Sequence, residues 1–428
     1  MTGATPRSTE LYARAVELMP GGVNSPVRAL RSVGRDPLFV AGGRGAEIED
    51  ADGNRYVDYV CSWGPLIAGH AHPRVVEAVV AATAAGTSFG APTAAEVEIA
   101  AEIVERVPGA EMVRMVNSGT EASMSAVRLA RAATGREKLL KFAGAYHGHV
   151  DGLLADAGSG LATAGIPASP GVPAAQAAAT VVVPWNDREA VERALAEHDV
   201  AAVLAEPYPA NMGLVPPAAG FLAFLREQAD RNGALLVFDE VISGFRVGRG
   251  GAQEREGVTP DLTILGKVIG GGLPAAAYAG RRDLMQLVAP AGDVYQAGTL
   301  SGNPLATAAG LATLELLDAG AYARLDAVAT ALADGLRAAA AAAGLSVHVA
   351  RTTGLLTVFF HDGPVTHYAA ARACDLDRFG SFWRAMLDRG IYLPASQFEA
   401  WFPSLAHGDE HVERTLAAAR EAFAEIAR

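Results

Sequence analysis

From about residue 73 onward, short apolar runs alternate with amphipathic segments, and this alternation restricts the fold more than any other feature of the sequence. The amphipathic segments have apolar residues at helical spacing and cover 75–85, 94–107 and 121–133. The apolar runs are 112–116, 138–142, 180–183, 201–205, 234–238, 262–265 and 275–279. Continuously apolar strands that alternate with helices are typical of a mainly parallel sheet covered on both faces. We therefore predict an α/β fold.

The two ends of the chain predict a second, smaller unit. Near the N-terminus, two short strands flank Asp52-Gly53-Asn54, a turn sequence typical of a hairpin. After residue 310, the pattern predicts helices that alternate with three further strands. We expect an N-terminal segment (1–60), a large domain (61–310) and a C-terminal segment (311–428), with the first and last segments forming a small α+β domain together.

Composition excludes several classes of function. The net charge is −12 and the acids and bases are interspersed, which argues against nucleic acid or an anionic membrane as a main partner. The two cysteines, Cys61 and Cys374, form no disulfide framework. The N-terminus lacks an apolar signal core, and no apolar run approaches the length of a membrane span. We expect a protein of the reducing cytoplasm.

The chain has three lysines, and Lys267 is the only charged residue between Asp261 and Arg281. An amine buried in such an apolar, glycine-rich stretch loses hydration, which disfavours the ammonium and leaves a nucleophile. Imine formation with a carbonyl, including that of pyridoxal phosphate, uses a lysine of this kind. Replacement of lysine by arginine would explain why lysine is scarce, but it does not explain the position of Lys267.

Two segments at predicted strand ends suit the same cofactor. Ser118, Gly119 and Thr120 lead from a strand into a helix, where hydroxyls and backbone N–H groups would bind a phosphate; the alternative is a simple helix cap. Asp239 ends a buried strand, and its carboxylate needs a cationic partner. That partner is either the protonated pyridine nitrogen of pyridoxal phosphate or a structural salt bridge. Lys267 follows by one strand–helix–strand step, so both side chains are expected at neighbouring strand ends.

Three further residues near strand or helix ends are candidates for this site. Tyr146 would either stack on a cofactor or belong to the core, Asn211 could reach a phenolic oxygen, and Thr299 could donate to a phosphate. The His-Gly-His sequence after Tyr146 permits a zinc interpretation, but no Cys or carboxylate partners recur at coordinating spacing. We therefore predict no metal.

Together and in this order, these segments resemble the class III aminotransferases of pyridoxal phosphate fold type I, and more narrowly the glutamate-1-semialdehyde 2,1-aminomutase family. The resemblance runs from about residue 18 to the end of the sequence. The segments that carry it are Pro20-Gly-Gly-Val-Asn-Ser-Pro-Val-Arg-Ala, Ser62-Trp-Gly-Pro, Gly69-His-Ala-His-Pro, Gly86-Thr-Ser-Phe-Gly-Ala-Pro-Thr, Val113-Arg-Met-Val-Asn-Ser-Gly-Thr-Glu-Ala, Tyr146-His-Gly-His, Ala157-Gly-Ser-Gly, Gly266-Lys-Val-Ile-Gly-Gly-Gly-Leu-Pro and Gln296-Ala-Gly-Thr-Leu-Ser-Gly-Asn-Pro. The chain departs from the family pattern at Tyr208-Pro-Ala, Ile242-Ser243 and Trp401-Phe-Pro.

The resemblance implies an isomerase that converts (S)-4-amino-5-oxopentanoate (glutamate-1-semialdehyde) to 5-aminolevulinate for tetrapyrrole (porphyrin) biosynthesis. The amino group would move within one molecule through 4,5-diaminovalerate, while pyridoxal 5′-phosphate cycles with pyridoxamine 5′-phosphate. The resemblance also implies a homodimer, and it leaves open a transient contact with the enzyme that supplies the aldehyde.

Roles for individual residues also follow from the resemblance. The implied cofactor contacts are Lys267 as the imine partner and proton shuttle, Asp239 at the ring nitrogen, Tyr146 and Val241 at the ring faces, Asn211 at the phenolic oxygen, Ser118, Gly119 and Thr120 at the phosphate, and Thr299 at the phosphate from the second subunit. The implied substrate contacts are Ser25 and Arg28 at the carboxylate, Trp63 in the pocket wall, Glu399 at the amino group and Ser159 in a gating loop, 152–175.

Three alternatives to this interpretation follow from the same residues. Segment 152–175, rich in Gly, Pro, Ser and Ala, could be a disordered insertion instead of a lid. The second enzyme class is an intermolecular ω-aminotransferase of class III. Such enzymes usually carry Gly-Phe-Gly-Arg-Thr-Gly, whereas the sequence here is Gly244-Phe-Arg-Val-Gly-Arg, as in the mutases. A non-catalytic regulator on the same fold would be expected to lack Lys267 or Asp239, and both are present.

Overall fold

The computed structural model describes residues 3–155 and 169–428. Its strands are β1 (Val40–Arg44), β2 (Glu47–Asp50), β3 (Arg55–Asp58), β4 (Met112–Val116), β5 (Lys138–Phe142), β6 (Thr180–Val183), β7 (Val200–Ala205), β8 (Leu235–Asp239), β9 (Leu262–Leu265), β10 (Ala276–Gly280), β11 (His348–Thr352), β12 (Leu355–Phe359) and β13 (Ile391–Tyr392). Its α-helices are α1 (Pro6–Leu18), α2 (Pro73–Ala85), α3 (Ala94–Arg106), α4 (Gly119–Thr134), α5 (Ala174–Ala178), α6 (Arg188–Glu197), α7 (Phe221–Asn232), α8 (Gly251–Glu256), α9 (Arg282–Met285), α10 (Pro304–Leu314), α11 (Ala319–Ala342), α12 (Tyr368–Arg372), α13 (Leu376–Asp388) and α14 (Asp409–Ile426).

A seven-stranded sheet with the order β4-β10-β9-β8-β7-β5-β6 forms the centre of the molecule. Strands β6, β5, β7, β8 and β9 pair in parallel, whereas β10 runs antiparallel to both β9 and β4. Every residue of β7 is buried, as expected for a strand with helices on both faces of the sheet. The prediction of a mainly parallel α/β sheet is confirmed.

Helices cover this sheet and divide its side chains between separate cores. Along β8, Leu236 and Phe238 share a core with apolar residues of α7, whereas Val237 packs with residues of α4. This division arises because successive side chains of a strand point to opposite faces of the sheet. Since α4 follows β4 directly, its first turn lies at the edge of the sheet where the parallel strands end.

Both ends of the chain build a second, four-stranded sheet with the order β1-β2-β3-β13. The predicted hairpin is present as the antiparallel pair β2–β3. Strand β13 joins the sheet in parallel, with Ile391 opposite Val57. The predicted small α+β unit from both termini is thus confirmed, while its boundaries at residues 60 and 310 stay predictions. In the described ranges, no helix combines the length and apolar character needed to cross a bilayer.

Candidate active site

A cavity of about 380 Å³ lies at the carboxyl ends of the central strands. Its walls include residues that lie within two positions of the ends of four different strands: Asn117 after β4, Glu206 after β7, Val241 after β8 and Lys267 after β9. Because the carboxyl ends of parallel strands share one edge of a sheet, residues that are far apart in sequence meet here. Eight predicted cofactor contacts line this cavity, namely Ser118, Gly119, Thr120, Tyr146, Asn211, Asp239, Val241 and Lys267.

The first turn of α4 forms one wall of the cavity. Ser118 caps the helix, since its hydroxyl accepts a hydrogen bond from the Glu121 backbone N–H at 3.2 Å. The helix-cap interpretation is therefore correct, and the same residue still lines the cavity. Gly119 and Thr120 lie in the first turn, where backbone N–H groups have no partner within the helix. Gly148 adopts a positive φ of 80°, and a β-carbon there would lie 2.6 Å from Thr120 Oγ1. The free N–H groups of this first turn suit an anion.

Asp239 and His147 form a buried pair at the site. Asp239 is 5% exposed, and its Oδ2 lies 2.8 Å from His147 Nδ1. The other carboxylate oxygen accepts a hydrogen bond from the Val241 N–H at 3.1 Å. Among the described residues, His147 Nε2 is buried and has no hydrogen-bond partner. His147 was not predicted as a site residue; the available signal was a histidine beside Tyr146 and a buried carboxylate in need of a partner.

Glu206 connects two predicted cofactor contacts and was also missed from the sequence. Its carboxylate accepts hydrogen bonds from the Tyr146 N–H at 2.8 Å and from the Asn211 side-chain amide at 2.9 Å. Burial raises the pKa of the Glu206 carboxyl, and the nearby charge of Asp239 acts in the same direction. Tyr208, one of the residues that depart from the family pattern, donates to Glu256 on α8. Asn211 still lines the cavity.

Lys267 follows β9 in a tight turn with a positive φ of 48°. A non-glycine residue rarely adopts this conformation, and such outliers are concentrated at functional sites. Burial lowers the pKa of the Lys267 amine, although the carboxylates of Glu399 and Asp239 oppose this shift. The direction of this shift is the one expected for an amine that loses hydration on burial.

Val241 is held tightly in the cavity wall. A β-carbon at Gly119 or at Gly266 would lie 3.3 Å from one of its methyl carbons. The two glycines thus let the first turn of α4 and the strand end before Lys267 approach Val241 closely. This packing fixes the position of the Val241 side chain.

The predicted substrate contacts are less well assembled. The Arg28 guanidinium lies 5.5 Å from the centre of the Trp63 ring, so these two residues do meet. Ser25 lines a separate cavity of about 520 Å³. Glu399 is buried, and its charge acts on the pKa of both Lys267 and Tyr146.

Thr299 and Ser159 are the remaining predicted contacts. Thr299 is exposed and is not part of the cavity wall. Ser159 lies outside the described residues. Within residues 3–155 and 169–428, no group of three or more His, Cys, Asp and Glu side chains is arranged to hold a metal ion.

Comparison with protein families and relatives identifies the chain. The model of the family "Aminotransferase class-III" matches residues 30–423. A protein of Thermomicrobium roseum named glutamate-1-semialdehyde 2,1-aminomutase is 59% identical over 98% of this chain and 99% of its own length. A protein of the same name from Roseiflexus castenholzii is also 59% identical, over 99% of this chain and 98% of its own length.

Solved structures agree with this assignment. An omega-transaminase from Sphaerobacter thermophilus superposes with a TM-score of 0.91 at 35% identity, over 98% of both chains. A glutamate-1-semialdehyde-aminomutase variant from Pseudomonas aeruginosa, solved in complex with PMP, has a TM-score of 0.87 at 30% identity over 98% of this chain and 95% of the other. The chain belongs to the class III aminotransferase family and, within it, to the glutamate-1-semialdehyde 2,1-aminomutases.

Proposed function

We propose that the chain converts (S)-4-amino-5-oxopentanoate to 5-aminolevulinate by amino transfer within one substrate molecule, as a step of tetrapyrrole biosynthesis. The observation that carries the proposal is the cavity that joins Lys267, Asp239 and the first turn of α4. It occurs in a chain that is 59% identical to relatives named for this activity. The enzyme class is therefore an isomerase.

Pyridoxal phosphate fits the residues that line the cavity. The first turn of α4 offers N–H groups and hydroxyls for a phosphate. Asp239 is a buried carboxylate, so it suits a cationic ring nitrogen. Lys267 has the lowered pKa that covalent attachment of an aldehyde requires. When bound, the cofactor supplies an electron sink and a temporary carrier for the amino group.

Side chains of the protein would supply proton transfer and hold the cofactor in position. Lys267 lines the cavity and would hold the cofactor there; its amine would then be the group that carries protons to and from the substrate carbons. His147 Nδ1 lies within hydrogen-bonding distance of Asp239 Oδ2 and so orients that carboxylate. Glu206 fixes Tyr146 and Asn211 through its two hydrogen bonds, so both can hold the ring and its phenolic oxygen.

On the substrate side, Arg28 supplies the positive charge for the substrate carboxylate. Trp63 packs against Arg28 and limits the directions that its guanidinium can take. Ser25 lines a separate cavity, so its hydroxyl would have to reach the same carboxylate from there, while Glu399 would face the amino group.

A homodimer completes the site in this proposal, with Thr299 of one subunit at the phosphate of the other. Large apolar side chains beside Thr299 are exposed: Tyr295 is 71% and Leu300 is 50% exposed. Phe89 and Val80 are exposed as well. In the proposed dimer, these side chains would be covered by the second subunit, as apolar surface at a protein–protein contact is. Sedimentation should show a dimer, and a stable monomer with full activity would contradict this part of the proposal.

Segment 152–175 remains a proposed gate that retains the diamine. At its described start, the Lys141 ammonium donates to the carbonyls of Leu153 and Ala155 at 3.0 and 2.9 Å, so the buried strand β5 anchors this end. Replacing the segment with a short Gly-Ser linker should leave cofactor binding intact and release 4,5-diaminovalerate during turnover. A trimmed enzyme that forms 5-aminolevulinate without leakage would exclude the gate. We also propose a cytoplasmic location, since Cys61 and Cys374 are both free and buried.

The second candidate function is an intermolecular ω-aminotransferase, which the similarity to the Sphaerobacter thermophilus omega-transaminase favours. The deciding experiment supplies purified holoenzyme with glutamate-1-semialdehyde alone and measures 5-aminolevulinate. Sustained formation without an added amine or oxo acid supports the mutase. A strict requirement for a second substrate would support the ω-aminotransferase instead.

A further inference from the structure

Arg246 is a fully buried arginine without a carboxylate partner. It follows β8 and is 0% exposed. None of the ion pairs among the described residues involves it, and its guanidinium donates to three backbone carbonyls instead. These belong to Gly354 and Pro403, each at 3.1 Å, and to Gly64. A buried charge is costly unless its donors are satisfied. Among the described residues, Arg246 Nε has no hydrogen-bond partner, so this side chain is buried at a cost that calls for an explanation.

Two of these three carbonyls belong to segments that lead to the candidate active site. Gly64 ends a turn in which Cys61, Ser62 and Trp63 all have a positive φ, of 43°, 57° and 61°. This turn places Trp63, the partner of Arg28. Pro403 follows Glu399 along the chain, and the intervening Phe402 ring lies 5.3 Å from the Arg246 guanidinium.

Gly64 contacts both Arg246 and Lys267. A β-carbon at Gly64 would lie 3.3 Å from Lys267 Cδ and 3.1 Å from Phe402 Cε1. The Gly64 backbone thus lies directly against the aliphatic part of the Lys267 side chain. Three consecutive non-glycine residues with positive φ form an unfavourable conformation that outside contacts must maintain. The hydrogen bond from Arg246 to the Gly64 carbonyl is such a contact.

We propose that Arg246 is a positioning residue for the reaction: it holds Gly64 against the stem of Lys267 and so fixes the direction in which the Lys267 amine approaches the reacting atoms. This inference rests on the proposed function. A planar guanidinium with five donors in fixed directions can bind carbonyls of separate segments at once, whereas a lysine ammonium cannot reproduce that geometry. The positive charge of Arg246 also lowers the pKa of Lys267, in the same direction as burial.

The test compares Arg246→Lys, which keeps the charge and loses the planar fork, with Arg246→Met, which loses both. Arg255 is the matched control. It donates to the Thr353 hydroxyl at 2.9 Å, next to Gly354, and its guanidinium lies 5.9 Å from the centre of the Tyr208 ring. The control variants are therefore Arg255→Lys and Arg255→Met.

Two measurements on the holoenzymes separate positioning from a purely structural role. First, kcat of Arg246→Lys should fall about 10- to 100-fold with little change in KM, because a small misplacement of a reacting group slows the chemical step. Second, the pH titration of the bound cofactor's absorbance should shift to higher pH in Arg246→Met and much less in Arg246→Lys. Both Arg255 variants should match the parent in both measurements.

Three results would overturn the inference. The first is parent-like kcat in Arg246→Lys. The second is a loss of activity that only parallels a loss of folded, cofactor-loaded protein. The third is a parent-like absorbance titration in Arg246→Met. If Arg246→Met fails to fold, the kcat of Arg246→Lys decides. The absorbance titration needs no substrate, so it tests Arg246 even if the parent proves not to form 5-aminolevulinate, a result that would refute the proposed function alone.

Discussion

The two halves of the candidate site are built in different ways. In the cofactor half, side chains at strand ends are joined by buried hydrogen bonds, such as the 2.8 Å contact between His147 and Asp239. In the substrate half, Ser25 and Arg28 belong to short turns near the N-terminus, Arg28 is exposed, and its described ring contact is with Trp63. A rigid sheet can pre-position the groups that stay bound through every cycle. Ser25 and Arg28, which are proposed to meet each new substrate, lie instead on a short turn outside the central sheet.

Lys267→Ala should have the largest effect, because it removes both the covalent attachment point and the proton carrier of the cofactor half. We expect no measurable formation of 5-aminolevulinate and a folded protein with a parent-like melting temperature. Lys138→Ala, at a partly exposed lysine beside His198, is the control and should be fully active. Parent-like turnover in purified Lys267→Ala would remove Lys267 from the mechanism.

Asp239→Asn should slow turnover by about 10²- to 10³-fold, the usual cost of removing one preorganised electrostatic group. The amide is nearly isosteric but carries no charge to keep a ring nitrogen protonated. Cofactor content, measured by absorbance after denaturation, should fall much less than kcat. A strictly proportional loss of both would mean that Asp239 only binds the cofactor.

Arg28→Met should affect the substrate half alone. Loss of a hydrogen bond to a charged group costs about 1.5–3 kcal/mol, so we expect KM to rise about 10- to 100-fold. The cofactor spectrum should stay unchanged. Arg31→Met, at a neighbouring arginine on the Ser25 cavity, should leave KM near the parent value. An altered cofactor spectrum in Arg28→Met would show that the two halves are not independent.

Thr299→Ala should give the smallest effect. Loss of one neutral hydrogen bond costs about 0.5–1.5 kcal/mol, so cofactor affinity should weaken about 2- to 10-fold. Thr299→Ser keeps the hydroxyl and should restore the parent affinity, measured by equilibrium titration of the apoenzyme. If Thr299→Ser binds the cofactor as weakly as Thr299→Ala does, the Thr299 hydroxyl is not a phosphate contact.

Most of the fold was predictable from the sequence, because a strand that is buried on both faces has a continuously apolar sequence. All seven apolar runs correspond to strands of the central sheet. The antiparallel direction of β10 was not predictable, since an apolar run has no direction. Strand β1 was missed because Gly42 and Gly43 interrupt its pattern and its residues are largely exposed.

The candidate site was predictable where one residue carries its own signal. Lys267 stood out as a lone charge in an apolar stretch, and Asp239 as a carboxylate at a buried strand end. His147, Glu206 and Arg246 do not stand out individually, because their contacts are with residues distant in sequence. His147, for example, pairs with Asp239 only once β5 and β8 lie in one sheet.

The parallel pairing of β13 with β3 also affects the order in which the protein can be made. Strand β3 ends at Asp58, but its partner β13 begins only at Ile391. On the ribosome, β3 must therefore wait, with one edge unpaired, until nearly the whole chain has emerged, whereas the central sheet has all its strands by Gly280. An unpaired strand edge invites wrong partners. We therefore expect the large sheet to fold first, and nascent chains that stall before Ile391 to be the species that chaperones must protect.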